Sequence, residues 1–346
     1  MKMLSADETL FRSEEVFDFS YIPDQFNYRD GQLKALAYCL KPAMRSAKPL
    51  NALLTGHPAT GKTTAIKISF DQLGEASEKA ILVYVNCQIH SSPFRIFSEI
   101  HKKIFGHMPP ETGVPLSSIY DKMFARLSKD RQVLVVALDD INYLQNNEKV
   151  LYDLLRAYES YPGVKAGVIA VMQRNELYRF SDKARSIFQP QIIDFLPYSM
   201  NEIYLILKQR ADVGLYHNVI SKRMIEKIAE LTSEKNDLRF GIELLKQAVM
   251  QAEADSSRTV KELHMKKALS SLNTTEREVK NNEKLVLGLI EKETTSGELY
   301  KALGKKIAIS YSSFYRLLRE MEAKNLIRTE EKTAEKGGKT RIIRKT

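Results

Sequence analysis

Leu53-Leu54-Thr55-Gly56-His57-Pro58-Ala59-Thr60-Gly61-Lys62-Thr63-Thr64 fits the phosphate-loop pattern G-x-x-x-x-G-K-[ST], and an apolar run leads into it. Gly56 and Gly61 let the backbone curl, so that the N–H groups of Ala59, Thr60, Gly61, Lys62, Thr63 and Thr64 turn inward toward a phosphate. The Lys62 ammonium is suited to the β- and γ-oxygens, and the Thr63 hydroxyl to a magnesium ion. A helix beginning near Thr64 adds its positive dipole end to the same place. The stretch therefore predicts a nucleoside triphosphate site, with ATP or ADP and Mg²⁺ as cofactors.

Working outward, Arg29–Leu40 has a helical apolar pattern that stops at Pro42. Leu50–Leu54, Ile81–Val85, Val133–Leu138 and Val168–Met172 read as buried strands, and Ile192–Phe195 as a short fifth, with helical stretches between them. Alternation of helices with continuously apolar strands predicts an α/β fold, a parallel sheet covered on both faces. From Asn201 the pattern becomes helical only: Asn201–Val213, Ser221–Thr232, Asp237–Ala254 and Val260–Leu272. Asn273–Asn282 is polar and reads as a linker or helix junction. Helices near Glu283–Lys292, Gly297–Leu303 and Tyr311–Lys324 follow, then Leu326–Arg328, a turn at Lys336-Gly337-Gly338 and a strand over Thr340–Arg344. Three domains are expected: 1–199 for nucleotide, 200–275 as a helical lid, and 276–346 as a terminal unit.

The 346 residues carry a net charge of +10, with 43% hydrophobic and 28% charged side chains, which describes a folded globular chain. Residues 276–346 hold 17 Lys and Arg against 11 Asp and Glu, more than half of the excess, and this placement points to a polyanion. Met1–Asp18 lacks the apolar stretch of a signal peptide, and no run is long enough to span a bilayer. Cys39 and Cys87 stand alone, as expected of a reducing compartment. A cytoplasmic, nucleoid-associated protein with no membrane partner is the expectation.

A phosphate loop needs an acid to organise its cation. Asp139 ends the apolar run Val133–Leu138, at the carboxyl edge of the sheet, and is the expected magnesium residue beside Thr63. Asp140 follows as the candidate base. Its side chain is one methylene shorter than Glu, about 1.5 Å, and misplacement on this scale costs ~10²-fold in rate. Tight binding with slow hydrolysis follows. Gln173, with Asn175 as second choice, ends the fourth strand where a polar group can meet the γ-phosphate or the attacking water. Arg239 opens a lid helix from which it can reach back to that phosphate.

These pieces in this order resemble an AAA+ ATPase, and more narrowly the archaeal replication initiators related to the origin recognition complex and the cell-division-cycle helicase loader. The resemblance runs from Tyr21 to the last strand. Tyr21-Ile22-Pro23 with Arg29 is similar to the family's adenine-packing motif, and Val85-Asn86-Cys87 to a family signature. Ser92–Pro115 matches the helical insert that touches DNA in these initiators. Tyr198 and Arg210 stand where a Tyr and an Arg contribute to nucleotide binding, and Asn236-Asp237-Leu238-Arg239 resembles the second sensor box. The ending resembles a winged helix. This chain departs from the family in having Asp140 for Glu, Gln173 for Asn, and Ser181-Asp182-Lys183-Ala184-Arg185 for the Asp-Pro-Arg finger motif.

A winged helix sets one helix in the major groove and its hairpin along the backbone or minor groove. The resemblance thus makes Tyr311–Lys324 the recognition helix, with Ser312, Ser313, Arg316 and Arg319 toward DNA, and Gly338, Lys339, Thr340 and Arg341 on the wing. Arg95, Lys102 and Lys103 on the insert add phosphate contacts. Double-stranded origin DNA, the replicative helicase and other initiator copies or paralogues are the implied partners. The competing readings are a clamp-loader or helicase-loader type ATPase, and an ATP-gated transcription or transposition regulator.

Overall fold

The computed structural model describes the chain outside residues 1–8, 111, 175–179, 291–292, 324–325, 334–338 and 346, and outside the side chains of 274–280, 323, 331–333, 339 and 340. It divides into two compact units, 1–262 and 263–346.

In the first unit, strands β1 (Ala52–Thr55), β2 (Ala80–Asn86), β3 (Val133–Asp139), β4 (Lys165–Met172) and β5 (Gln191–Asp194) form one sheet in the order β2-β3-β4-β1-β5. Every pairing is parallel. Helices α1 (Asp30–Leu40), α2 (Lys62–Ala76), α3 (Pro93–Phe105), α4 (Leu116–Lys129), α5 (Asn147–Leu155), α6 (Ala157–Ser160) and α7 (Asp182–Phe188) connect and cover the strands. Alternate residues of a strand point to opposite faces. On β3, Val133, Val135 and Ala137 pack with α1 and α2, whereas Leu134, Val136 and Leu138 pack with α3, α4 and α5. Burial on both sides explains why these strands read as unbroken apolar runs. The register also aligns the chemistry, because Asn86 pairs with Asp139 at the strand ends. Between β3 and α5 the chain does not run on as one helix. Asp140 and Asn146 both take positive φ, at +54° and +51°, around a short turn at Ile141–Tyr143.

Helices α8 (Met200–Gly214), α9 (Lys222–Lys235) and α10 (Leu238–Ala254) form the lid of the same unit. Ser199 and Glu202 close a reciprocal cap at the start of α8. The N-terminal segment straps this lid. Phe17 lies against Gly214, where an added Cβ would collide with its ring. Arg12 donates to the Asp212 and Val213 carbonyls at the end of α8, and Glu253 accepts from Thr9 Oγ1 at 2.8 Å and from Leu10 N–H at 2.7 Å.

In the second unit, α11 (Glu262–Leu289) runs straight through the polar stretch expected to be a junction. No Gly or Pro interrupts residues 261–287, and Glu, Lys and Arg are good helix formers, so nothing there breaks the helix. β6 (Thr294–Thr295), α12 (Ser296–Gly304), α13 (Tyr311–Ala323), β7 (Ile327–Thr333) and β8 (Lys339–Lys345) complete it. The sheet order is β6-β8-β7, antiparallel, with Thr294 opposite Ile343 and Thr333 opposite Lys339. Phe314, Leu317, Leu318 and Met321 of α13 are buried in its core with Ile343. Among the described residues no helix is long and apolar enough to cross a membrane.

Candidate nucleotide site and candidate DNA-binding elements

A cavity of about 340 Å³ opens between the strand ends and the lid of the first unit. Residues 59–64 of the loop form its floor, Tyr21, Ile22 and Phe26 one wall, and Ile206, Arg210, Arg239 and Ile242 of the lid another. Asp139, Asp140, Gln173 and Tyr198 complete the lining. Of the described residues expected around a triphosphate, all but Gly56 and Arg29 thus border a single cavity.

Gly56 and Arg29 shape that cavity from behind. Gly56 has φ of +141°, and a Cβ there would meet the Phe195 carbonyl. Gly61 has φ of +92°, and a Cβ would come within 2.8 Å of the Phe26 ring. Both positions admit only glycine without strain. Arg29 is buried; its Nη2 donates to the Leu196 carbonyl at 2.7 Å, its Nε to Thr60 at 3.0 Å and its Nη1 to Tyr28 at 3.0 Å. The resemblance places Arg29 on the nucleotide; the structure turns its guanidinium to backbone carbonyls and the Tyr198 ring.

Lys62 Nζ donates to the carbonyls of Gly56 at 2.7 Å and His57 at 2.6 Å, across the mouth of the loop. Burial pushes its pKa down to about 8, partly offset by the Asp139 and Asp140 carboxylates. Thr63 Oγ1 donates to Asp139 Oδ2 at 2.7 Å, and Tyr84 Oη donates to the same oxygen at 2.6 Å. A hydroxyl and a carboxylate in contact at the loop end are a fitting oxygen donor pair for a hard cation. Among the described residues no group of three or more His, Cys, Asp or Glu could hold a metal alone, so phosphate and water oxygens would fill the remaining positions.

Asp140 Oδ2 accepts from Gln88 Nε2 at 3.0 Å, and burial raises its pKa, with the Asp139 charge adding to the effect. The Gln173 carbonyl accepts from the Gly56 N–H at 3.3 Å, joining the end of β4 to the loop; Asn175 lies outside the described residues. On the lid, the Arg210 guanidinium stands 4.6 Å from the Tyr21 ring centre and donates to the Val16 carbonyl. The Arg239 N–H donates to Asp237 Oδ1 at 2.9 Å, which caps α10 and sets its first turn at the cavity.

Two residues of the site stand outside every motif in the sequence. Tyr84 sits inside an apolar strand, where its phenol is the sole side-chain polar group of Ile81–Val85, and that is its signal. Gln88 comes directly after Val85-Asn86-Cys87, but nothing in that signature gives it a role at the site.

The comparisons with known proteins agree with this geometry. A family described as AAA ATPase domain matches residues 25–166, and the Cdc6 AAA+ ATPase-type lid domain matches 204–270. The ORC1-type DNA replication protein 2 of Methanothermobacter thermautotrophicus is 44% identical over 339 residues, covering 94% of this chain and 89% of that one. That of Methanosarcina acetivorans is 36% identical, covering 98% and 94%. The chain belongs to the ORC1-type DNA replication proteins. Its resemblance to archaeal origin-recognition and cell-division-cycle type initiators, and the AAA+ fold with lid and winged helix, are thereby borne out. The Aeropyrum pernix ORC1 protein in complex with DNA shares the fold at a TM-score of 0.73 and 23% identity, over 98% of this chain and 94% of that one. The Aeropyrum pernix ORC2 protein in its ADP form matches at 0.66 and 25%, over 97% and 94%.

The remaining family positions fall as follows. On α13, Ser312, Arg316 and Arg319 are exposed, while Ser313 is half-buried and its N–H donates to Ser310 Oγ at 3.2 Å. Arg341 on β8 stands 5.8 Å from the Tyr315 ring centre. Lys339 and Thr340 begin β8, and Gly338 lies outside the described residues. Arg95, Lys102 and Lys103 are exposed on α3 of the first unit, outside the cavity. In the finger segment, Lys183 Nζ lies 4.6 Å from the Tyr152 ring centre and Arg185 pairs with Asp182.

Proposed function

We propose that this chain is an ATP-binding replication initiator that recognises chromosomal origin DNA and helps recruit the replicative helicase, with nucleotide as a conformational switch and slow hydrolysis. One observation carries the reading: the phosphate loop and the lid residues Arg210 and Arg239 wall a single cavity. Charge placed at the loop therefore bears directly on the lid. The Aeropyrum relatives solved with ADP and with DNA support the two ligand classes.

The loop amides of 59–64 and the Lys62 ammonium would hold the phosphates, and Thr63 with Asp139 the magnesium, whose chemistry is to neutralise phosphate charge. Tyr21, Phe26 and Ile206 offer the apolar walls suited to a base. Asp140 and Gln173 stand nearest the hydrolytic role. The short Asp140 side chain is held by Gln88, and the finger-segment cations are engaged with Tyr152 and Asp182, which supports slow turnover. Arg316 and Arg319 of α13 with Lys339 and Arg341 of β8 would meet duplex DNA, with Arg95, Lys102 and Lys103 as further phosphate contacts.

Footprinting of the organism's own genomic DNA with ATP and with ADP tests the reading. Nucleotide-dependent protection concentrated at one intergenic repeat beside this gene is expected. Protection scattered over promoters would replace it with the regulator reading.

A further inference from the structure

Tyr84 belongs to none of the sequence motifs. Along β2 and β3, Asn86 pairs with Asp139 and Tyr84 with Ala137, so alternation puts Tyr84 and Asp139 on one face of the sheet. That face is the one covered by α2, whose first turn brings Thr63. Two hydroxyls thus converge on Asp139 Oδ2, Tyr84 Oη at 2.6 Å from the sheet and Thr63 Oγ1 at 2.7 Å from the loop. Phenylalanine would fill the same volume in this strand. A half-buried phenol oxygen is tolerable there because it is bonded, and the bond to a carboxylate is of the stronger, charge-assisted kind.

We propose that Tyr84 is a positioning residue for the magnesium site, fixing the Asp139 carboxylate from the sheet side so that it meets the cation in one orientation. This rests on the nucleotide-binding reading above. A cation on the Thr63 oxygen competes with the Thr63–Asp139 bond, whereas the Tyr84 bond arises from another element and persists. Donors of this kind behind a metal ligand commonly govern affinity by 10–100-fold.

The test is titration of the full-length protein and a fluorescent ADP analogue with MgCl₂, beside the same binding in EDTA. Tyr84→Phe is expected to raise the magnesium concentration at half-saturation about tenfold, while affinity in EDTA stays at the wild-type value. An unchanged magnesium response overturns the proposal. So does a shift of equal size when Tyr84→Phe is made on an Asp139→Asn background, since that would be a packing effect. Failure of the wild-type chain to bind the analogue at all would instead overturn the nucleotide reading, and this inference with it.

Discussion

The Arg29 guanidinium lies 3.7 Å from the centre of the Tyr198 ring while its Nε donates to the Thr60 carbonyl at 3.0 Å. One buried cation so joins the segment before α1, the phosphate loop and the chain leaving β5. Cation–π stacking and charge-assisted bonds to carbonyls together compensate its burial. These contacts hold the loop from behind.

Replacing Arg29 with Ala is therefore expected to destabilise the first unit by about 3 kcal/mol, since carbonyls are left unpaired in the interior. Arg29→Lys should recover little, because an ammonium reproduces neither the stack nor the fork. Denaturant midpoints measure the loss, and a wild-type midpoint for Arg29→Ala would refute the role.

Asp140→Glu tests the hydrolytic reading. One added methylene extends the carboxylate by about 1.5 Å, and single-turnover hydrolysis should rise about tenfold or more. A wild-type chain that already hydrolyses ATP rapidly, or a variant that gains nothing, would show that side-chain length does not limit the reaction.

His101 gives a pH dependence. It is buried on α3, its Nδ1 lies 3.0 Å from the His107 carbonyl, and burial holds its pKa below the ordinary 6.5. As pH falls below 6.5, the unfolded chain takes up a proton that the folded chain resists, so stability present above that pH is progressively lost. The urea midpoint of the wild type should drop more between neutral and mildly acidic pH than that of His101→Gln. Equal drops would acquit His101.

Arg316 and Arg319 sit on the exposed side of α13, opposite its buried Phe314, Leu317 and Leu318. Changing both to Ala should weaken duplex binding and lower the slope of log affinity against log salt by about 2, one unit for each phosphate that is no longer neutralised. Fluorescence anisotropy over a salt series reads both effects, and an unaltered slope would remove α13 from the interface.

Much of this molecule is written in local pattern. Val133–Leu138 reads as a strand because it is buried on both faces, and the same run delivers Asp139 to the sheet edge. Lys62 and Thr63 are legible because loop chemistry depends on adjacent residues. What the pattern hides are bonds between distant segments. Tyr84 in a strand looks like packing until β3 supplies its acceptor, and the signature beside Gln88 says nothing of its bond to Asp140. Resemblance assigns Arg29 to the nucleotide, but its partners lie 31 and 167 positions away. The break after Asp140 comes from two left-handed residues that hydrophobic spacing cannot express.

The strap formed by residues 9–17 has a consequence for how the molecule comes into being. Leu10 bonds to Glu253, 243 positions later, and the stretch Asp18–Asn27 that walls the cavity hangs between this anchor and α1. On a ribosome the phosphate loop emerges early, yet its opposite wall is fastened only by the lid, first by the end of α8 through Arg12, Val16 and Phe17 and then by Glu253 of α10. Contacts of such separation are slow to close. A nascent chain would so carry a finished loop in an unfinished pocket, and competence for nucleotide would be among the last properties it acquires.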